Sequence, residues 1–174
     1  MPGINRCELP PDALLVRYRR TGTYTDCFVT EVDRAVAAED YFRAFYTTWL
    51  FGLERRILAV AIDKPSTDAE AAALAAGRAD IFSAWRVEDR SDNQLLLADF
   101  QGNTRSWLMI RRESLNSRDA TLLYFGSAVL PQTDEATGRK RLSPGFRALL
   151  GFHKLYSRAL LSAAAKRTVA TTRR

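Results

Sequence analysis

Residues that build metal sites and disulfide frameworks are scarce in this sequence. Its 174 residues include two cysteines and a single histidine. One imidazole and two thiols that are far apart in sequence do not supply the ligands of an ordinary zinc site, and two cysteines form no framework of bridges. We therefore predict that Cys7 and Cys27 are reduced, and that the protein uses no metal and no other cofactor.

Long apolar runs and signature motifs of catalysis are also missing from the sequence. Residues 1–21 contain no apolar run of signal-peptide length, and no stretch of about 18 uncharged apolar residues could span a bilayer. A phosphate-binding loop, a dinucleotide-binding glycine motif and a serine nucleophile elbow are all absent. We expect a soluble cytoplasmic protein, and no motif names its reaction.

Positive charge is in excess but dispersed. The formal net charge is +6, and 20 acidic residues lie among 26 lysines and arginines. The visible clusters are Arg17, Arg19 and Arg20, and the terminal group Lys166, Arg167, Arg173 and Arg174. We interpret the basic tail, 168–174, as a flexible solvated end, with a phosphate or anionic-lipid contact as the alternative. No specific nucleic-acid partner is predicted.

Size and composition predict a single domain. Hydrophobic residues make up 47% of the chain and charged residues 26%, which are ordinary values for a globular protein with one core. Residues 1–21 contain prolines and no hydrophobic period, so we predict an irregular lead-in there. The folded domain is predicted over 14–167.

Changes of hydrophobic period divide the first half of the domain. A strand is predicted over 22–32, with Asp26 on its apolar face, and helices are predicted over 37–47 and 68–76. The apolar run 57–62 fits either a continued helix or a short buried strand, and we favour the helix.

The second half changes from period two to the period of a helix. Strands are predicted over 81–90, 93–100, 104–112 and 121–130, and their short turns indicate an antiparallel meander. After the loop 131–142, a helix is predicted over 144–166, with two adjacent apolar stripes that need a broad partner. The predicted fold class is α+β: a curved antiparallel sheet wrapped around the long C-terminal helix, with two or three short helices after the first strand.

This order of elements resembles the helix-grip fold of the START and polyketide-cyclase-like (SRPBCC) superfamily, over about 22–166. Four phrases look like a bacterial branch of it: FYTT at 45–48, TRSWL at 104–108, YFGSAV at 124–129 and LGFH at 150–153. The resemblance implies a cavity between sheet and helix that holds a small hydrophobic or amphipathic ligand, either a small apolar molecule or a lipid. That fold usually has six or seven strands, so 14–20 and 57–62 could each supply a further one.

Candidate site residues are polar or aromatic side chains at positions that the pattern predicts to be buried. His153 is either a core histidine with satisfied ring nitrogens or an acid, base or ligand donor in the cavity. We expect its ring to be mostly buried, with one nitrogen bonded to the meander, and the hydroxyl of Tyr156 to lie nearby. The predicted ligand-binding set is Trp85, Arg105, Trp107, Tyr124, His153 and Tyr156.

Two charged residues share apolar strand faces, Asp26 and Arg105. A buried charge must be paired, so at least one of them should meet a counter-charge or a bound anion. Arg105 is a strand-end charge that reaches water, an anchor for a ligand carboxylate, or the ion-pair partner of Asp26 or Glu54. Gly126, inside the most apolar strand, is attributed to crowding by the C-terminal helix.

Three classes of function stay open. The first is a protein that binds a small hydrophobic ligand. The second is an enzyme of the cyclase or hydratase type that uses His153 and Tyr156 in the same cavity. The third is a peripheral membrane or partner-binding protein, which would use the basic C-terminal end and exposed aromatic residues of 41–51. A closed interior would argue against the first two, and a cavity that contains His153 would favour catalysis.

Overall fold

An antiparallel sheet and a long C-terminal helix form the fold in a computed structural model that describes residues 3–21, 23–53, 55, 65–115, 118–133, 140–141 and 144–171. In chain order the elements are β1 (Asn5–Arg6), α1 (Val16–Arg20), β2 (Tyr24–Val32), α2 (Ala38–Tyr46), α3 (Asp68–Ala75), β3 (Ile81–Phe82), β4 (Trp85–Ser91), β5 (Gln94–Asp99), β6 (Thr104–Leu115), β7 (Arg118–Val129), β8 (Gln132–Thr133), β9 (Lys140–Arg141) and α4 (Pro144–Thr171). Residues 49–53 are also helical. The segment 57–62 lies outside the described residues.

The sheet follows the predicted meander and extends it at both ends. Within the described residues, seven strands pair in the order β1-β2-β7-β6-β5-β4-β3, and β8 pairs with β9 in a separate ribbon. All seven strands are antiparallel to their neighbours. The predicted α+β fold class, a curved antiparallel sheet with a long C-terminal helix against it, is therefore confirmed.

One face of the sheet, which we call the helix side, packs against α2 and α4. Its core contains apolar residues of alternate strand positions together with Leu160, Leu161 and Ala164 of α4. The helix reaches Thr171 and thus enters the predicted tail. Its buried face is narrower than predicted, because Phe152 is 65% exposed.

The other face, which we call the N-terminal side, is covered by the N-terminal segment from Cys7 to Tyr18. Leu9, Ala13 and Leu15 pack there against Trp107 and Met109. Residues 3–4 and 7–15 are neither helix nor strand, and the segment also contains the two-residue β1 and the short helix α1. The alternative strand at 14–20 is wrong, since Val16–Arg20 is helical. The physical reason is that the central strands are apolar on both faces, so both faces need a cover.

Two local predictions about strands are also corrected. The strand predicted over 81–90 is broken by a turn in which Ser83 has φ of 54°, so Phe82 pairs with Trp85 across a tight hairpin. A Cβ on Gly126 would lie 2.9 Å from Trp107 Cε3 and 3.0 Å from Leu15 Cδ2. The close approach at Gly126 therefore comes from the N-terminal side and not from the C-terminal helix.

The helices begin where their sequence signals indicate. Thr67 caps α3 in a capping box, because its hydroxyl accepts from the Glu70 N–H at 3.2 Å while the Glu70 carboxylate accepts from the Thr67 N–H at 2.6 Å. Acidic Glu39 and Asp40 lie in the first turn of α2, where they suit the helix dipole. In the described part of the chain, no helix is both long and apolar enough to cross a membrane.

Candidate functional site

A cavity of about 240 Å³ lies between the helix side of the sheet and α4. The ends of β6 and β7 form one wall, and the part of α4 from 153 to 160 forms another. Its apolar lining consists mainly of Phe45, Phe51, Trp85, Phe125, Tyr156 and Leu160. The polar residues at its border are Thr104, Arg105, Ser106, Ser127, His153 and Ser157.

The structure brings together four of the six residues in the predicted ligand-binding set. Trp85, Arg105, His153 and Tyr156 border this cavity. Their roles in binding a ligand stay predictions. Tyr156 also stacks on the exposed ring of Phe152, with ring centroids 6.1 Å apart, so the outer edge of the cavity is aromatic.

The other two predicted residues lie on the opposite face of the sheet. Trp107 is fully buried on the N-terminal side, and its Nε1 donates to Gln94 Oε1 at 2.9 Å. The ring of Tyr124 packs against it at 6.3 Å. Trp107 and Tyr124 therefore belong to the core under the N-terminal segment and do not border the cavity beside α4.

Arg105 borders the cavity, but its guanidinium is bound on the N-terminal side. The Nε atom lies 2.5 Å from a Glu88 carboxylate oxygen and 2.8 Å from the Tyr18 hydroxyl. The guanidinium carbon also lies 5.0 Å from the centre of the Tyr18 ring. The expected counter-charge is thus confirmed, with Glu88 as the partner in place of Asp26; Glu54 lies outside the described residues.

A second buried charge, Asp26, lies behind two residues that border the cavity, Ser127 and His153. Its side chain is inaccessible to solvent, and its Oδ1 accepts from the Ser127 hydroxyl at 2.6 Å and from the Ser127 N–H at 3.1 Å. Its Oδ2 lies 3.2 Å from His153 Nε2 and accepts from the Tyr24 hydroxyl at 3.2 Å. The expected bond between the His153 ring and the meander is confirmed by a 2.8 Å distance from Nε2 to Ser127 Oγ.

These contacts determine what the Asp26, Ser127 and His153 cluster can do chemically. Ser127 uses its hydroxyl hydrogen on Asp26, so its oxygen is the acceptor toward His153, whose Nε2 must then carry a proton. In a serine hydrolase triad the carboxylate holds one ring nitrogen while the serine donates to the other. In this protein the Asp26 carboxylate and the Ser127 hydroxyl both contact the same nitrogen, His153 Nε2. The cluster therefore holds a protonated Nε2 in place and does not activate Ser127 as a nucleophile.

The same contacts shift the proton affinity of the two acidic groups beside the histidine. Burial raises the pKa of Asp26, but the hydrogen bonds from His153, Ser127 and Tyr24 outweigh burial, so the pKa is lower than the ordinary value. Burial and the adjacent Asp26 carboxylate raise the pKa of the Tyr24 hydroxyl well above its usual range. Asp26 is therefore an anion and Tyr24 a neutral donor at neutral pH.

Trp85 borders the cavity and also carries a buried polar atom without a partner among the described residues. Its Nε1 is buried and, within the described part of the chain, has no hydrogen-bond partner; Thr30 Oγ1 is the other side-chain atom of this kind. A buried N–H without a partner costs about 1–3 kcal/mol. Ser127 was missed as a site residue, although a serine between apolar neighbours in β7 is a signal that could have found it.

The structure also bears on two further questions, whether a metal site is present and whether the aromatic residues of 41–51 are exposed. Among the residues that the structure describes, no three His, Cys, Asp or Glu side chains are grouped so as to hold a metal ion. The aromatic residues of 41–51 that were predicted to be exposed are buried, except Trp49, which is 76% exposed.

Comparison with known proteins finds few similarities. No protein-family model matches the chain, and neither does any curated protein. Among solved structures, the chain is similar to the crystal structure of CalU16 from Micromonospora echinospora, with 13% identity and a TM-score of 0.30, over 98% of this chain and 94% of that one. A likeness of this size carries no argument about fold or function.

Proposed function

We propose that this protein binds a small, mostly apolar molecule in the cavity between the sheet and α4. The observation that carries the proposal is an apolar cavity bordered by Trp85, whose buried indole N–H has no partner among the described residues. Ligand sites are typically concave and apolar, with a few polar groups that orient the ligand. The proposed ligand therefore has an apolar body and at least one hydrogen-bond acceptor for Trp85.

The size of the cavity narrows the class of ligand. Its volume of about 240 Å³ is below the range of about 300–1,000 Å³ that is usual for drug-sized ligands. The proposed ligand is therefore compact, of the size of a substituted single ring. Membership of the START and polyketide-cyclase-like superfamily, which the order of elements suggests, is part of the same proposal.

A pair of matched probes tests the role of the indole. Acetophenone carries a carbonyl acceptor, and α-methylstyrene has nearly the same shape with a methylene in its place. Titration of each probe is followed by the backbone amide NMR resonances of cavity residues, which the wild type and the Trp85→Phe variant both contain. We expect acetophenone to bind about tenfold more tightly than α-methylstyrene, and Trp85→Phe to abolish that preference.

A pair of variants tests whether the two probes bind in this cavity. Thr104 borders the cavity from the end of β6 and is only partly buried, so its replacement is tolerated more easily than that of a core residue. We expect Thr104→Phe to fill the space and weaken the binding of both probes, while Thr104→Val leaves it unchanged. The proposal fails if neither probe binds, if native mass spectrometry finds no copurified ligand, or if Thr104→Phe binds like the wild type.

A cyclase or hydratase type of enzyme is the second candidate, and the contacts of His153 favour it. The Asp26 carboxylate orients the ring at the border of the cavity, where Tyr156 could supply a second hydroxyl donor. In this proposal Ser127 and Asp26 hold the ring through its Nε2 proton, and the fixed ring orients the substrate so that the Tyr156 hydroxyl donates to a substrate oxygen. If His153 only links the helix to the sheet, His153→Gln lowers thermal stability and leaves acetophenone binding intact. If it serves the ligand, binding weakens more than stability, and unchanged binding would remove His153 from the site.

A further inference from the structure

The two cysteines, which are far apart in sequence, face each other across the edge of the sheet. The register Asn5 opposite Val29 and Arg6 opposite Phe28 places Cys7 beside Cys27. The Cys7 N–H donates to the Cys27 carbonyl at 3.0 Å, which extends the pairing of β1 and β2 by one residue. The two Sγ atoms lie 3.2 Å apart, and both cysteines are free thiols.

The two thiols differ in their access to solvent. Cys7 is half-buried, whereas Cys27 is only 2% exposed. Both border an open cleft of about 440 Å³ on the outside of the sheet, together with Arg6, Glu8 and Arg19. A small oxidant can therefore reach Cys7 from solvent, while Cys27 is reached mainly through Cys7.

We propose that Cys7 and Cys27 form a peroxide-reactive dithiol, in which Cys7 is the attacking thiol and Cys27 the resolving thiol. The proposal is independent of the ligand cavity, because neither cysteine borders that cavity. It adds a reactivity to two cysteines that are both free thiols in the structure.

The chemistry takes place in two balanced steps. The Cys7 thiolate attacks one oxygen of hydrogen peroxide, which breaks the O–O bond and gives a sulfenic acid and hydroxide. The Cys27 sulfur then attacks the sulfenic sulfur; an S–S bond forms, the S–O bond breaks, and the Cys27 proton leaves with hydroxide as water. Both sulfurs are oxidised and the peroxide is reduced to water.

The local environment assigns the two roles in this order. The hydrogen bond between the thiols lowers the pKa of Cys7, although burial opposes this effect. The same hydrogen bond, together with burial, raises the pKa of Cys27. Cys7 is therefore the better thiolate, and Cys27 keeps the proton that must leave with hydroxide.

Closing the bond requires a short movement and has a structural consequence. A disulfide has an S–S length of about 2.05 Å, so the sulfurs must approach by about an ångström, which side-chain rotation supplies. The bond would join residues 20 positions apart and attach the N-terminal segment to β2. Since a loop of that size restricts the unfolded chain, we expect Tm to rise by about 5–10 °C on oxidation.

Intact-mass analysis of the full chain after treatment with hydrogen peroxide tests the proposal. We expect a loss of about 2 Da from the wild-type monomer, reversed by dithiothreitol, and the rise in Tm. Cys27→Ala should instead accumulate a sulfenic acid on Cys7, a gain of about 16 Da that dimedone traps. Cys7→Ala should retain a reduced Cys27 under the same treatment.

Two results would overturn the proposal, and both are read on the wild type, so that folding of the variants is not required. One is a gain of about 32 Da on Cys7 without loss of the two hydrogens, which marks a sulfinic acid formed beside an inert Cys27. The other is a folded protein that stays reduced, or forms disulfide-linked dimers, under conditions in which the unfolded chain closes the bond.

Discussion

The two faces of the sheet differ in how completely their buried polar groups are paired. On the N-terminal side, the side chain of Gln94 accepts from Trp107 Nε1 and from the Leu14 N–H, both at 2.9 Å, and donates to the Asp12 carbonyl at 3.0 Å. On the helix side, the Trp85 indole N–H has no partner in the described part of the chain. A tryptophan N–H is thus hydrogen-bonded on the N-terminal side and has no partner among the described residues on the helix side.

The charged groups show the same difference. On the N-terminal side Arg105 bonds with Glu88 and Tyr18, and the N-terminal segment covers this network. On the helix side, the Asp26 carboxylate holds His153, whose side chain keeps 25% of its surface exposed at the border of the cavity. A closed, satisfied face indicates a structural role, and an open face with unsatisfied or exposed polar groups is where a ligand can add interactions.

The largest expected effect tests how tightly the N-terminal side is packed. Gly126→Ala places a methyl group 2.9 Å from both the Asp26 carbonyl oxygen and Trp107 Cε3, and the carbonyl is backbone that cannot rotate away. We expect a loss of about 3 kcal/mol in the free energy of unfolding, measured by urea denaturation.

The matched control is the same substitution in the helix. Gly151 has nothing within 4 Å of its Cβ position and lies in α4, so Gly151→Ala should stabilise the protein by about 0.5–1 kcal/mol. Equal effects at the two positions would show that the N-terminal side is not closely packed around Gly126.

A smaller effect is expected from the ion pair on the same face. Arg105→Met leaves the Glu88 carboxylate partly buried without its cation, and we expect a loss of about 2–3 kcal/mol in chemical denaturation. The control is Arg17→Met, which removes the partner of Asp89 from an exposed pair and should cost less than about 1 kcal/mol. If Arg105→Met costs no more than Arg17→Met, the Arg105 and Glu88 pair is not a structural element of this face.

On the helix side, the paired Asp26 carboxylate should make the stability of the protein depend on pH. The pKa of Asp26 is lower in the folded protein than its ordinary value of 3.8, so the unfolded chain binds more protons in that range. The stabilisation from Asp26 is therefore present above that value and is lost as pH falls through the folded pKa.

We expect Asp26→Asn to lower stability at neutral pH by about 2 kcal/mol and to remove part of the loss on acidification. Asp12→Asn, at an exposed pair with Arg111, is the control and should leave the acid limb as in the wild type. Urea denaturation from pH 2 to 7 measures both, and parallel acid limbs for wild type and Asp26→Asn would contradict the pairing of Asp26.

The smallest effect compares the two tryptophans directly. Trp107→Phe leaves Gln94 Oε1 with one donor fewer in a buried site, whereas Trp85→Phe removes an N–H that has no partner among the described residues. We expect Trp107→Phe to cost about 1 kcal/mol more than Trp85→Phe in the free energy of unfolding. Thermal denaturation of the two variants side by side measures the difference, and equal losses would mean that both indoles are equally satisfied.

Local sequence determined the elements of this protein and their order. The change from alternating to helical periodicity near residue 143, the capping box at Thr67 and the short turns between strands each act over a few residues, so the meander and the final helix could be predicted. The burial of Asp26 and Arg105 could be predicted for the same reason, since each shares a strand face with apolar neighbours.

Tertiary structure alone decided which face of the sheet packs against the helices and which packs against the N-terminal segment. The central strands are apolar on both sides, and β5 is buried from Gln94 to Ala98, so alternation could not tell the face of Leu108 from that of Trp107. The N-terminal segment took the face of Trp107, and Trp107 and Tyr124 became core instead of cavity. The partners Glu88 for Arg105, His153 for Asp26 and Cys7 for Cys27 likewise depend on long-range strand register and helix docking, because contacts between distant residues leave no periodic trace in either segment.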